Sequence, residues 1–298
     1  SSEVINAFTS QEFKDNPENF KLIAYTNKQV SSWNRLIRNA VIGENKSFIE
    51  VGDVLTGYQT VAKDKGEVIL FENSGDYVVI NKSDKTTNTD GIEGYWIVLK
   101  NQPVPIFIVD RTSANLTKYL ARKEEVTKMG KLTKNWRAYF TFKENNILLG
   151  DIIDTRGKKL APKHLDYGYA STVHKMQGGT CKTIFVDEDN IDTNRFWKQR
   201  HVDERVARKL EPLTKEDIDT ERNKIKYVAL SRPTQNAVVL SAKTTESKNS
   251  FVQSTAHQEN ISEIPNDLES TGESLYADPQ ELVSDKELDE FIKHCKSI

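Results

Sequence analysis

The sequence predicts an α/β protein whose parallel sheet is interrupted by a small antiparallel β-barrel and followed by a disordered acidic tail. Three observations carry that expectation. Residues 20–41 read as strand, polar turn and helix, the repeating unit of α/β domains. The same texture returns after Asp166. Between the two lie short β-rich runs split by Gly, Pro, Asp and Ser, the punctuation of an antiparallel meander.

In chain order, Phe20-Lys21-Leu22-Ile23-Ala24-Tyr25 is an apolar run that stops at Thr26-Asn27-Lys28. Val30, Trp33, Ile37 and Val41 then follow helical spacing, with Asn34, Arg35 and Arg38 off the stripe. Residues 53–55, 67–71, 77–80, 95–99 and 106–109 are five short strands within about sixty residues, a fit to an SH3-like barrel. Residues 112–145 turn helical and basic, with lysines and arginines interleaved with Tyr119, Trp136, Tyr139, Phe140 and Phe142. From Asp166 come an Ala-Ser-Thr turn and helix at 170–177, a strand at 183–186, a strand-like apolar run at 227–229 and a last strand at 237–241. Beyond Thr244 the chain is polar and acidic, the composition of disorder, with one short helix expected over 278–293. The expected domains are 1–50 with 163–245, the insert 51–162, and the tail 246–298.

Net charge is −2 overall, but eleven carboxylates and one lysine fall between Glu259 and Glu290, so the body upstream is net basic. A basic body suits a phosphate-backbone partner; the acidic tail suits a solubilising role, the binding of another protein, or competition with that backbone. Two cysteines, Cys181 and Cys295, make neither a disulfide framework nor a metal set. No run of eighteen apolar residues and no signal core occur, so no membrane partner and a cytoplasmic setting are expected. The chain opens on Ser1 rather than Met, which suggests processing or derivation from a longer protein.

Two segments carry chemistry. Residues 170–178 read Ala-Ser-Thr-Val-His-Lys-Met-Gln-Gly, and 227–232 read Tyr-Val-Ala-Leu-Ser-Arg. Ser171, Thr172, His174 and Lys175 can donate to phosphate oxygens, and Arg232 can stabilise charge developing in phosphoryl transfer. No G-x-x-x-x-G-K-[ST] loop occurs in the chain, so nothing in it cradles β- and γ-phosphates. Asp187-Glu188-Asp189 after an apolar strand imitates a magnesium-binding acid, but a role outside any metal site is preferred and no metal ligand is assigned. For 112–145 two readings stand open: a helical hairpin packing its aromatics on the barrel, or a single-strand path in which Trp136 and Arg137 touch bases and backbone.

In this order and spacing the segments resemble motifs V and VI of superfamily 1 helicases. Ala24-Tyr25-Thr26-Asn27-Lys28 resembles motif IV. Over residues 20–245 the chain is similar to the C-terminal half of a Dda- or RecD-like helicase, although Ser231 and Pro233 depart from the motif VI pattern. The resemblance implies a RecA-like (P-loop NTPase type) second motor domain with an inserted SH3-like domain, part of an ATP-dependent helicase moving on single-stranded DNA, 5′ to 3′, in a bacterial or phage-infected cell. ATP and Mg²⁺ would be shared with an N-terminal helicase half or partner subunit. The resemblance makes Arg232 the catalytic finger, and Gln177, Gly178 and Tyr25 nucleotide contacts. Thr26, Asn27, Ser171, Thr172, His174 and Lys175 become strand contacts. Two rivals stay open: a stand-alone nucleic-acid-binding or regulatory remnant without ATPase activity, and a RecD-like subunit of a nuclease-helicase complex.

Overall fold

Every residue of strand β1 (Phe20–Ala24) is buried, as expected of a strand covered on both faces. The computed structural model describes residues 2–63, 66–102, 104–192, 205–211 and 214–241. Helices α1 (Ser2–Phe8) and α2 (Gln11–Asp15) precede β1, and α3 (Asn27–Val41) follows it. The chain then runs through β2 (Val54–Gly57), β3 (Val61–Lys63), β4 (Val68–Phe71), β5 (Asp76–Lys82), β6 (Thr86–Thr87), β7 (Glu93–Leu99) and β8 (Ile106–Val109). Helices α4 (Ser113–Thr133) and α5 (Arg137–Asn145) come next, then β9 (Ile152–Ile153), β10 (Lys159–Ala161) and β11 (Leu165–Tyr167). Strands β12 (Ala170–Thr172) and β13 (Cys181–Asp187), helices α6 (Glu188–Asp192) and α7 (Lys215–Leu230), and strand β14 (Pro233–Leu240) complete the described chain.

The first sheet has the order β12-β1-β13-β14, and each neighbouring pair in it is parallel. Successive side chains of a strand point to opposite faces, and β1 feeds two cores that way. Leu22 joins Val4, Phe8, Phe13, Ile37, Tyr169 and Phe185 on one face. Ile23 joins Met176, Ile184, Val186, Ile225 and Ala229 on the other. Each such aliphatic side chain contributes about 1.5–3 kcal/mol when fully buried.

Helix α3 starts where local chemistry allows. The Thr26 hydroxyl accepts from the Gln29 amide at 3.2 Å, an N-cap that answers one of the first turn's spare donors. Asn34 and Arg38 lie off the apolar stripe, yet both are buried. The Asn34 amide donates to the Ala170 carbonyl (3.3 Å) and accepts from the Ala170 N–H (2.7 Å), which locks the helix onto β12.

The residues between α3 and β12 build an antiparallel sheet of order β11-β2-β5-β7-β6, with β8 also on β7. Leu55, Leu70, Phe71, Val79, Ile97, Ile108, Ile147 and Leu165 fill a core of its own. Helices α4 and α5 pair through Tyr119 and Phe142, ring centroids 5.1 Å apart. Gly57 permits the tightest approach in this sheet: a Cβ there would lie 2.0 Å from the Glu72 carbonyl oxygen.

Two expectations are corrected. Residues 227–229 are no strand-like run; they end helix α7. That helix opens with a capping box between Thr214 and Asp217 and buries Ile225 and Ala229, so a helical pattern begun upstream overrides the short apolar run. The turn and helix expected over 170–177 is instead strand β12 followed by a single 3-10 turn, His174–Met176. Pairing with β1 holds 170–172 extended. The acidic tail, its short helix and Cys295 lie outside the described residues. Among the described residues no helix is long and apolar enough to cross a membrane.

Candidate nucleotide and nucleic-acid interface

Parallel strands end together, and the crevice beyond their carboxyl ends is the usual ligand site of an open α/β sheet. Ala24 lies level with Thr172, so Tyr25, Thr26 and Asn27 leave the sheet beside His174. The Tyr25 and His174 rings are 5.8 Å apart, and burial pushes the His174 imidazole below its ordinary pKa. Asn190 organises this edge: its side-chain oxygen accepts from the Tyr25 N–H (2.8 Å) and the Thr26 N–H (2.9 Å). Asn190 is held by Asp187, whose carboxylate accepts its N–H at 3.0 Å, Gln29 Nε2 at 2.9 Å and Trp33 Nε1 at 2.7 Å. Asp187 is therefore a buried internal acceptor.

Of the other strand-contact candidates here, Thr172 offers its hydroxyl to the Lys175 N–H at 3.2 Å. Ser171 is only 3% exposed, inside the sheet, so its hydroxyl does not face solvent. Lys175 turns away towards the insert. Its ammonium donates to the Gly57 carbonyl at 2.6 Å and Asn73 Oδ1 at 3.3 Å, and sits 3.8 Å from the Tyr58 ring centroid.

Of the nucleotide candidates, Arg232 and Tyr25 lie at opposite ends of the sheet. Gln177 follows the 3-10 turn, and Gly178 takes a left-handed turn at φ 83°. Gln177, Thr220, Asn223, Lys224, Tyr227 and Val228 line a cleft of about 630 Å³. Arg232 follows the end of α7, where its Nε donates to the Val228 carbonyl at 3.2 Å. Gln177 and Val228 border the same cleft, and Arg232, bonded to the Val228 carbonyl, is not one of its lining residues. The Cys181 N–H donates to the Arg232 carbonyl at 3.3 Å, placing Arg232 at the start of β13, whereas Tyr25 lies beyond its finish. The six residue steps of β13 separate them by about 20 Å at roughly 3.3 Å per residue.

Trp136 and Arg137 belong to the helical pair. A Cβ at Gly130 would meet the Trp136 ring at 2.7 Å, and Trp136 stands edge-on to Tyr139 at 5.7 Å, so its ring packs within the hairpin. Arg137 is exposed and borders a cleft of about 510 Å³ with Asp90, Arg122 and Phe142. The sequence reading missed Asn190, Gln29 and Trp33, and the Tyr58–Lys163 contact. No local pattern marks them, because Asn190 and its backbone partners are more than 160 residues apart in sequence.

No family model matches the chain, and no curated protein matches it. Solved structures that match include the Pif1 helicase from Candida albicans, at 12% identity and TM-score 0.32, over 80% of this chain and 52% of that one. Pif1 helicase from Bacteroides in complex with ADP-AlF3 and ssDNA matches at 11% identity and TM-score 0.34, over 80% and 44%. Bacteroides Pif1 bound to ssDNA matches at 12% and 0.34, over 80% and 45%. The chain spans about half the length of these structures. Similarity this low assigns neither activity nor partner.

Proposed function

We propose that the chain is the C-terminal half of an ATP-dependent superfamily 1 helicase of the Dda/RecD-like type, acting 5′ to 3′ on single-stranded DNA. In this reading the parallel-sheet part is a second RecA-like domain and the antiparallel insert an SH3-like domain. The observation that supports it is that Gln177 shares a cleft with helix α7, whose end leads into Arg232. The segments that carry the two resembling motifs, far apart in sequence, are thereby neighbours in the fold.

The fit to ATP and Mg²⁺ is partial. Among the described residues no group of three His, Cys, Asp or Glu could hold a metal ion, and Asp187 is committed to Gln29, Trp33 and Asn190. In this reading the metal and the phosphate cradle belong to a second half. When bound, ATP supplies the phosphoryl group that is transferred. This chain contributes a planar, permanently charged guanidinium and the Gln177 amide. At the other end of the sheet, Tyr25, Thr26, Thr172 and His174 are the groups poised to contact a strand.

The test is phosphate release by the chain joined to a P-loop half. Arg232→Ala should leave strand binding near normal and cut hydrolysis about 10³–10⁵-fold, with no rescue by lysine. Near wild-type turnover in Arg232→Ala would refute the finger. Steady DNA-stimulated turnover by the 298-residue chain alone would refute the split motor.

A further inference from the structure

Two lysines from the parallel-sheet side reach the same end of the insert. Lys21 on β1, 2% exposed, donates to the Gly168 carbonyl at 2.5 Å and pairs with Asp76 at 2.8 Å. Lys175, in the turn after β12, reaches Gly57 at the end of β2 and Asn73 in the β4–β5 turn. Tyr58 follows Gly57, and two ammonium groups share its ring: Lys175 and Lys163, each 3.8 Å from the centroid.

The counter-charges are unequal. Asp76 answers Lys21, and Asp166 answers Lys163 at 2.5 Å. Among the described residues no carboxylate lies within ion-pair distance of Lys175. An ammonium has three donors, and two of those on Lys175 are committed to oxygens of the insert. A ring already holding two cations also offers little to a nucleic-acid base.

We propose that Lys175 and Tyr58 are a positioning pair that fixes the insert on the parallel sheet, so that Lys175 affects strand binding through the insert and holds no phosphate itself. The second clause rests on the strand-binding reading above; the first does not. Lys21 with Asp76 is the permanent half of the joint, and Lys175 is the labile half. Burial first, then Lys163 and Lys21, push the Lys175 ammonium down to about 8, against the pull of Asp76 and Asp166. Its ordinary value is 10.5, so the docked joint binds fewer protons than the opened one between those limits. The joint therefore tightens as pH rises through that window and is weakest below it.

Amide hydrogen exchange on the full chain tests the joint without any nucleic acid. Lys175→Met and Tyr58→Leu should each speed exchange at 57–60 and 72–75 about tenfold, leave 184–186 unchanged, and be largely avoided by Lys175→Arg. In wild type, protection at 57–60, corrected for intrinsic rates, should rise between about pH 8 and 10.5, and Lys175→Met should abolish that rise. Unchanged exchange in both variants overturns the proposal, as does a pH response that survives Lys175→Met.

Anisotropy with an oligodeoxythymidine over a salt series tests the second clause. Both variants should lose similar affinity, about tenfold, at the wild-type slope of log K against log salt. A slope shallower by about 0.7 in Lys175→Met alone would mean a lost phosphate contact and overturn the positioning role. If the wild-type chain binds no strand, the strand-binding reading fails, and the exchange experiment still decides the joint.

Discussion

Asp53→Ala should be among the most damaging single changes in the molecule. Asp53 is fully buried at the root of the insert. Its carboxylate accepts from Arg38 Nε at 2.7 Å and Arg38 Nη2 at 2.9 Å, the Glu50 N–H at 2.7 Å and the Tyr169 hydroxyl at 3.1 Å. Arg38 is itself 6% exposed, donates to the Ser47 carbonyl at 2.6 Å and lies over the Tyr167 ring. Burial opposes the guanidinium charge, but the bonds and charge of Asp53 outweigh it. Removing one partner of a buried ion pair costs about 3–5 kcal/mol, because the other charge is left uncompensated. The Glu50 and Tyr169 donors lose their acceptor too, which places the expectation near 4 kcal/mol or above. For a folded region of this size each kcal/mol lowers Tm by about 2–4 °C, so a fall of roughly 8–16 °C is expected. Urea unfolding followed by tryptophan fluorescence measures the loss directly. The double variant Arg38→Met/Asp53→Leu should recover most of it, since replacing both charges by apolar groups is often neutral. A loss below about 1 kcal/mol in Asp53→Ala would refute the argument, as would a double variant no better than the single.

Asp187→Ala should cost about 2–3 kcal/mol, because Gln29, Trp33 and the Asn190 N–H lose a charged acceptor; urea unfolding unchanged from wild type would show that this carboxylate holds nothing. His164, 5% exposed, accepts from the Leu148 N–H at 2.9 Å through Nδ1, and burial, then Lys143 and Lys123, push it down to about 3 from 6.5. The native state binds fewer protons than the unfolded chain between those values, so stability should fall as pH drops from 6.5 to 3, by at most about 1.4 kcal/mol per unit for one proton. His164→Gln should flatten that part of the stability profile; a profile identical to wild type would exclude His164 as its source.

The sequence by itself determined what depends on near neighbours. The apolar run of β1 stops at Thr26 because a hydroxyl there caps the helix that follows, and Gly, Pro and Asp punctuation separates the strands of the insert whatever those strands pair with. The 227–229 run misled because three apolar residues satisfy a strand or a helix end equally well, and the deciding cap, Thr214 with Asp217, lies a dozen residues upstream. Only the tertiary structure decided who meets whom. Asn34 and Arg38 read as a polar face until Ala170 and Asp53 arrive to satisfy them. Lys175 sits in a motif that suggests phosphate, yet its donors go to Gly57 and Asn73, more than a hundred residues away. Arg232 and Tyr25 go to opposite ends of β13, because strand direction and order, unlike caps and periodicity, are properties of the whole chain's packing.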